Sequence, residues 1–305
     1  MSDNSSSDEY ELRAQSGAEV AENYNGPRDK TFIDFIRTIL VLGDMKEKYI
    51  DMLTDPKSMI EYAKAFTHDS VDESNNYQIY EQLGDVTANK FIVWYMYRRF
   101  PQLMCTSGVK VVARLRINYG SKQSFSGIAD DLGFWPFISA STEIRDTKMK
   151  PLKEDTFEAF IGVTEFLLDS RVQNGVGNAI VYNILENIFN KKPISLAYED
   201  LYDAKTRLKE LFDTLFDKKN EAKYISVKGE DRITRAIVYS APKQSRPTIR
   251  DGVVIPNRDW VEIGIGSKAL KIDAEQLAAT KGLEWMKRRG HVKAVPEEYR
   301  MFSGK

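Results

Sequence analysis

The feature that most constrains the fold is an apolar repeat with three- and four-residue spacing. It begins at Phe32, Phe35 and Ile36 and recurs, segment after segment, as far as Ile188. Side chains at these spacings share one face of a helix, so the repeat predicts a series of amphipathic helices. Strand-like alternation of apolar and polar residues does not appear before residue 195. We therefore predict an all-α domain over residues 30–195.

The pattern changes after the Lys-Lys-Pro sequence that ends at Pro193. One helical pattern, three strand-like runs and a last helical pattern follow, over residues 203–216, 224–227, 233–239, 260–265 and 273–288. The order α-β-β-β-α predicts a small α+β domain over residues 200–290. Three prolines favour a long loop over residues 241–257. We interpret residues 291–305 as a C-terminal tail.

The two parts of the chain carry opposite charge. Residues 1–200 have a net charge of −8, and residues 201–305 have a net charge of +7. Residues 1–29 are rich in Ser, Asp, Glu and Asn, which predicts a disordered acidic tail. A basic part beside an acidic part is typical of a protein that grips a polyanion with one and binds metal with the other. Taken alone, the split is explained as well by a chance distribution of surface charge.

Composition excludes several kinds of site. The single cysteine, Cys105, rules out an intrachain disulfide and a multi-cysteine zinc site. The two histidines fall in different predicted domains, so we interpret His68 as a hydrogen-bonded helix-end residue and His291 as a surface residue. Hydrolysis would then rest on carboxylates, hydroxyls or metal. No apolar run approaches the ~18 residues that span a bilayer, and no apolar signal core is present, so we expect a soluble, intracellular, cytoplasmic protein.

Two acidic pairs are the candidate catalytic residues. Glu81 and Asp85 are four residues apart, and Asp155 and Glu158 are three apart, so each pair shares one face of a helix. Two helices meeting along these faces would bring four carboxylates together. Such a group is costly unless cations neutralise it, and Mg²⁺ prefers carboxylate and water oxygens. A pair of metal ions about 4 Å apart could activate water and stabilise the leaving oxygen of a phosphodiester.

An acidic pair on a helix is more often a solvated surface. Here each pair is flanked by apolar residues, Leu83 and Val86 for the first pair and Phe157 and Phe160 for the second. Gly84 also lies inside a predicted helix, at a cost of about 1 kcal/mol against Ala. Close packing is one reason for a helix to tolerate a glycine.

An ordered set of segments resembles the ribonuclease III family. The segments are AFTHDS at 65–70, EQLGD at 81–85, YRRFP at 97–101, ARLR at 113–116, IADDLG at 128–133 and KEDTFEAFIG at 153–162. The second resembles the family signature Glu-Phe-Leu-Gly-Asp, and the last resembles its second catalytic helix, Ala-Asp-x-Phe-Glu-Ala-Leu-Ile-Gly. Each motif alone is weak, whereas the ordered set, over residues 50–190, is strong.

The resemblance implies roles for four residues. Glu81, Asp85, Asp155 and Glu158 match the family's catalytic carboxylates, and Glu158 matches the most direct Mg²⁺ ligand, with Mn²⁺ as a substitute. The family also implies a homodimer through this domain, whose two sites cut the two strands of an RNA duplex with a stagger.

Three positions depart from the family pattern. Gln78 and Ser107 replace residues that are usually acidic, which lowers the negative charge of the site. Gln82 replaces an aromatic residue that packs across the family's dimer.

The C-terminal part resembles a double-stranded-RNA-binding domain. The segments are DAKTRLKEL at 203–211, GIGSK at 264–268 and AEQLAATKGLEW at 274–285. The resemblance implies RNA contacts by Lys205, Thr206, Lys268 and Lys271, because a helix N-terminus attracts phosphate and such a module reads the shape of the A-form duplex. An apparent insertion within residues 269–271 separates the glycine-rich segment from the last helix.

The leading hypothesis is thus an Mg²⁺-dependent, homodimeric endonuclease acting on double-stranded RNA, with an all-α nuclease domain and an α+β RNA-binding domain. One alternative is an RNA-binding or ribosome-associated protein that keeps the fold with little or no nuclease activity. Another is a subunit that requires a different ribonuclease III chain. The intact set of four carboxylates favours the enzyme.

Overall fold

The computed structural model describes residues 22–215, 219–250 and 253–302 of the 305-residue chain. The chain divides into two compact units. The first unit comprises the described residues up to Arg99 together with Leu115–Pro193. The second comprises Phe100–Arg114 together with the described residues from Ile194 onward. The largest difference from the predicted domains is that the segment Phe100–Arg114 groups with the C-terminal unit.

Helices dominate the chain up to residue 189. In chain order they are α1 (Lys30–Leu40), α2 (Glu47–Leu53), α3 (Pro56–Ala65), α4 (Gln78–Arg99), α5 (Gly108–Tyr119), α6 (Lys122–Leu132), α7 (Thr142–Thr147), α8 (Met149–Arg171) and α9 (Val176–Phe189). Short 3-10 turns lie at Val41–Gly43, Pro101–Leu103 and Trp135–Phe137.

Local sequence signals set several of the helix ends. The side chain of Asp29 accepts a hydrogen bond from the Thr31 amide at the start of α1, and that of Asp55 does the same for Ser58 at the start of α3. Both bonds satisfy amides that a helix leaves without partners. Gly133 ends α6 in the left-handed region, with φ +80°, where glycine carries no Cβ penalty.

Helix α8 lies at the centre of the first unit. Every residue from Thr156 to Thr164 is buried, including Phe157 and Phe160. Helix α4 packs against it at close range, because a Cβ at Gly162 of α8 would collide with the Tyr80 carbonyl of α4. The apolar residues that flank the first acidic pair do not bury it, because Leu83 and Val86 are exposed on α4.

Residues 22–29 are part of the first unit, which corrects the predicted extent of the disordered tail. Strand β1 (Asn23–Tyr24) pairs antiparallel with β2 (Ala140–Ser141). The Arg28 guanidinium donates hydrogen bonds to the carbonyls of Phe66 and Phe137 and to the Ser139 hydroxyl. Its burial lowers the pKa of Arg28 to about 10. A two-residue strand and a single buried arginine leave no periodic signal in a sequence. Residues 1–21 of the predicted tail lie outside the described residues.

The second unit places two helices on one face of an antiparallel sheet. Its sheet has the order β3-β4-β7, with β3 (Asn220–Lys228), β4 (Thr234–Pro242) and β7 (Val261–Lys268). Its main helices are α11 (Ala204–Leu215) and α12 (Lys271–Arg288), and a short α10 (Tyr198–Leu201) precedes them. Leu208 and Phe212 of α11 share a buried core with Val238 of β4 and with Ala278 of α12.

The segment predicted as one long loop contains a hairpin. Strands β5 (Thr248–Arg250) and β6 (Val253–Ile255) pair antiparallel within residues 241–257. The prolines of this segment flank the two strands, which are three residues long each. So short a run of alternating residues is not recognisable from the sequence.

Glycines 264 and 266 lie inside strand β7, which extends three residues beyond the strand-like run predicted over residues 260–265. A Cβ at Gly264 would collide with the Ala278 carbonyl of α12, and a Cβ at Gly266 with the Ala274 carbonyl. The two glycines therefore permit close packing of α12 on the sheet. Helix α12 begins at Lys271, the last residue of the apparent insertion.

The predicted C-terminal tail is folded up to residue 302, which is a second correction. Residues 297–300 form the short helix α13 (Glu297–Arg300), and Tyr299 and Phe302 are buried. The hydroxyls of Tyr299 and Tyr202 are 2.7 Å apart, and both rings pack against Tyr198. Isolated aromatic residues after a helix gave no helical period to indicate this packing.

Within the described ranges, none of the helices combines the length and the apolar character needed to cross a membrane.

Candidate active site

Helices α4 and α8 bring the predicted acidic residues together. Carboxylate oxygens of Glu81, Asp155 and Glu158 all lie within 4.8 Å of one another. Asp85 is the most exposed of the four predicted residues and accepts a hydrogen bond of 2.7 Å from the Asn89 side chain. The charge of Asp85 nevertheless acts on the other carboxylates, because it raises the pKa of both Glu81 and Glu158.

Glu158 is the most buried carboxylate of the group, with 6% of its surface exposed. Burial, followed by the charges of four neighbouring carboxylates, raises the pKa of Glu158 to about 9. Burial is also the largest cause that raises the pKa of Glu81 and that of Asp155. Desolvation and like charge both oppose ionisation, so these carboxylates need a cation to be charged together at neutral pH.

The donor set fits a divalent metal ion. Glu81, Asp155 and Glu158 offer closely spaced oxygen ligands, as Mg²⁺ and Mn²⁺ require, and the described residues place no histidine or cysteine in this group. A bound cation would reverse the electrostatic cost that raises their pKa values. The cluster can therefore hold a metal through these three residues.

A buried tyrosine orients one of the ligands. The Tyr77 hydroxyl donates a hydrogen bond of 3.0 Å to Oδ2 of Asp155, and burial raises the pKa of Tyr77 above its usual range. The ring of His68 packs edge-on against Tyr77, and its Nδ1 lies 2.9 Å from the Ser70 hydroxyl. Burial lowers the pKa of His68. His68 is thus a hydrogen-bonded residue beside the site, and Tyr77 holds Asp155 in one orientation.

Sequence reasoning missed a fifth carboxylate and its partner. Oε2 of Glu154, on α8, lies 2.6 Å from Nζ of Lys122, the first residue of α6. Glu154 also raises the pKa of Glu81 and of Glu158, so it belongs to the same electrostatic group. Its four-residue spacing from Glu158 was a usable signal, since residues i and i+4 share a helix face.

The three departures from the family pattern are placed as follows. The Gln78 side-chain amide donates a hydrogen bond of 3.0 Å to Oδ2 of Asp69. Gln82 is exposed on α4. Ser107 lies just before α5, in the second unit.

The predicted RNA-binding residues fall into two groups. Lys205 and Thr206 are held by internal bonds, because Nζ of Lys205 lies 2.5 Å from Oε2 of Glu275 and the Thr206 hydroxyl donates to Asp203 at 2.7 Å. Lys268 and Lys271 are exposed. Nζ of Lys271 is 3.9 Å from the Glu275 carboxylate, at the start of α12. The side chain of Lys271 is 71% exposed, whereas that of Lys205 is 33% exposed.

One buried and two half-buried carboxylates on two packed helices can hold a divalent metal ion, as the carboxylate sites of metal-dependent hydrolases do. The sequence model of the ribonuclease III domain matches residues 78–167, which include all five carboxylates. Invertebrate iridescent virus 6 has a protein named "Putative ribonuclease 3" that is 40% identical over 297 residues, covering 92% of this chain and 95% of that protein.

Two further relatives and one solved structure are similar to this chain. A Frog virus 3 protein of the same name is 38% identical over 254 residues, covering 83% of this chain and 62% of its own length. A ribonuclease 3 of Bacillus cereus is 26% identical over 251 residues, covering 79% and 90%. The nuclease domain of ribonuclease III from Campylobacter jejuni is similar over 53% of this chain and 99% of its own, with 22% identity and a TM-score of 0.40.

This chain belongs to the ribonuclease III family and is an endoribonuclease of the ribonuclease III type. The helical part of the chain, which contains residues 78–167, is the nuclease domain, and a small sheet-containing region follows it.

Proposed function

We propose that the chain hydrolyses phosphodiester bonds of double-stranded RNA with Mg²⁺, or Mn²⁺ in its place. Glu81, Asp155 and Glu158 hold the ion, and Asp85 completes the predicted set of four carboxylates. The observation that carries the proposal is the burial of Glu158 among four other carboxylates. Such an arrangement costs stability unless a cation is bound, and a divalent ion supplies that cation.

The carboxylates of the site differ in burial, and we assign their roles accordingly. Glu158 is buried, Glu81 and Asp155 are half-buried, and Asp85 is exposed at the open side. Tyr77 fixes the orientation of Asp155 through its hydroxyl. When bound, the metal would lower the pKa of a water molecule and stabilise charge on the leaving oxygen. Asp85 is the carboxylate placed to meet solvent and substrate.

We further propose that the second unit binds the RNA duplex. Two helices on one face of a three-stranded antiparallel sheet, in the order α-β-β-β-α, support this assignment. Lys268 and Lys271 provide exposed positive charge next to the start of α12, where a helix favours phosphate. Lys205 and Thr206 support the fold of this surface through their internal bonds.

An exposed apolar stripe supports a homodimer through the first unit. Ile79, Leu83 and Val86 follow one another at helical spacing along α4, and Ile79 and Val86 are 68% and 66% exposed. Contiguous apolar surface of this kind marks an interaction site. The stripe lies on the same helix as Glu81 and Asp85, so pairing of two copies there would join two active sites.

A cleavage assay with one matched pair of variants tests the proposal. Glu158→Gln keeps the size and hydrogen-bonding capacity of the side chain but removes its charge, so cleavage of a long RNA duplex should fall by at least about a hundredfold. Binding of the duplex should survive, because it depends mainly on the second unit. Glu143→Gln, an exposed residue of α7, is the control and should cleave normally.

The alternative is a protein that binds RNA with little or no nuclease activity. Wild-type protein that leaves duplex RNA intact across a wide range of Mg²⁺ and Mn²⁺, while still binding it, would favour that alternative and overturn the proposed hydrolysis.

A further inference from the structure

Lys122 is a positive charge built into the carboxylate cluster. Its Nζ lies 2.6 Å from Oε2 of Glu154, and the Lys122 side chain is 51% exposed whereas that of Glu154 is 13% exposed. The family motif quoted above has alanine where this chain has Glu154. The chain therefore carries an added carboxylate beside the proposed metal ligands, together with a lysine that forms an ion pair with it.

The charge of Lys122 acts on the metal ligands as well as on Glu154. It lowers the pKa of Glu81 and of Asp155, against the larger effects of burial that raise them. In turn, the ion pair with Glu154 and then the charges of Asp155 and Glu158 raise the pKa of Lys122. Lys122 thus partly fills the electrostatic role that a metal ion has in the same site.

The position of Lys122 is fixed by the packing of α6 on α8. The Ser121 side chain caps α6 by accepting from the Ser124 amide, which sets Lys122 as the first residue of the helix. Lys153, whose side chain is 7% exposed, donates a hydrogen bond of 2.5 Å to Asp130 in the last turn of α6. This bond joins α8 to α6, so the Lys122–Glu154 pair lies between two helices that are packed together.

We propose that Lys122 and Glu154 form an exchangeable pair, in which Glu154 is an additional ligand for the divalent ion and Lys122 occupies it until the ion binds. This inference rests on the proposed metal-dependent function. A divalent ion that recruits Glu154 displaces the Lys122 ammonium, whose half-exposed side chain can move into solvent. Lys122 consequently raises the metal concentration that the site requires, and it acts mainly through Glu154.

Mn²⁺ binding to the full chain without RNA tests the pair directly, by calorimetric titration. Lys122→Met removes a competing charge and should tighten Mn²⁺ binding about tenfold, whereas Lys122→Arg should bind as the wild type does. Glu154→Gln removes a ligand and should weaken binding about tenfold. In the Glu154→Gln background, Lys122→Met should change binding by less than about threefold, because the main contact through which Lys122 acts is gone.

Lys150→Met is the matched control, since Lys150 bonds to an amide instead of a cluster carboxylate. It should leave Mn²⁺ binding within about twofold, and thermal unfolding of each variant verifies that it is folded. Wild type that binds Mn²⁺ while Lys122→Met binds it no more tightly would overturn the exchangeable pair but leave the proposed function standing. Wild type that binds no Mn²⁺ would overturn the metal site itself.

Discussion

Gly84 of α4 faces the backbone carbonyl of Glu158 on α8 so closely that a Cβ at residue 84 would collide with it. A Cβ at Gly162 of α8 would likewise collide with the backbone carbonyl of Tyr80 on α4. The two helices therefore touch through backbone atoms at the level of the active site. This close contact brings the carboxylate of Glu81 near those of Asp155 and Glu158, so that the three can share one ion. It also explains why the Glu81–Asp85 segment has a glycine at position 84.

Gly84→Ala should destabilise the nuclease unit although alanine is the better helix former. The gain in helix propensity is about 1 kcal/mol, but a methyl group against a backbone carbonyl forces α4 and α8 apart, at a cost of about 1–3 kcal/mol or more. We expect a lower melting temperature and weaker Mn²⁺ binding. Gly127→Ala, in the interior of α6 where a Cβ would meet no atom within 4 Å, should keep or raise the melting temperature. Equal effects of the two substitutions would contradict the close contact.

The metal-free protein should lose stability as pH rises from about pH 5 to about pH 9. The pKa of Glu158 is about 9 in the folded chain and about 4.3 in an unfolded one. Between these values the folded state holds a proton that the unfolded state has released, so the free energy of unfolding falls by at most about 1.4 kcal/mol for each pH unit.

Urea unfolding in the presence of EDTA at several pH values measures how steeply the free energy of unfolding falls with pH. Glu158→Gln should flatten this slope. A wild-type slope that the substitution leaves unchanged would show that other groups control it. Saturating Mg²⁺ should also remove the slope, because the bound ion keeps Glu158 ionised in the folded state.

Lys268 and Lys271 should act on RNA binding in a different way from Lys205. Replacing both exposed lysines by alanine should weaken duplex binding and reduce the salt dependence by up to about 0.9 for each lost phosphate contact. Lys205→Ala leaves the buried Glu275 carboxylate without its 2.5 Å partner, so it should lower the melting temperature of the second unit. Fluorescence anisotropy at several salt concentrations separates the two outcomes, and an unchanged salt slope in the double variant would place the RNA surface elsewhere.

Ile79→Gln and Val86→Gln should each weaken self-association, because they place a polar side chain in the exposed stripe of α4. Both keep the charge of the nearby site unchanged. Ile60→Gln, on the exposed surface of α3, is the control and should associate as the wild type does. Sedimentation velocity at micromolar concentration gives the mass of each, and a wild type that sediments only as a monomer would contradict the homodimer.

The helical period predicted the helical part of the chain, and the acidic spacing together with the resemblance to the ribonuclease III family predicted the grouping of Glu81, Asp155 and Glu158. These features repeat along the chain or recur within one helix, so a sequence displays them directly. Lys122 was not predicted because its role depends on the packing of α6 against α8, which leaves no local signal. Lys205 was assigned to RNA from a motif, whereas its charge is paired with Glu275 across two helices.

The grouping of residues 100–114 with the C-terminal unit has a consequence for the order in which a nascent chain can fold. Arg114 donates a hydrogen bond to the Leu201 carbonyl, 87 residues away, and Lys110 bonds to Glu298, 188 residues away. Closing such long loops costs entropy and slows folding. Every residue of the carboxylate cluster is synthesised before Pro193, so we expect the cluster to assemble during synthesis, before the partners of residues 100–114 have been made.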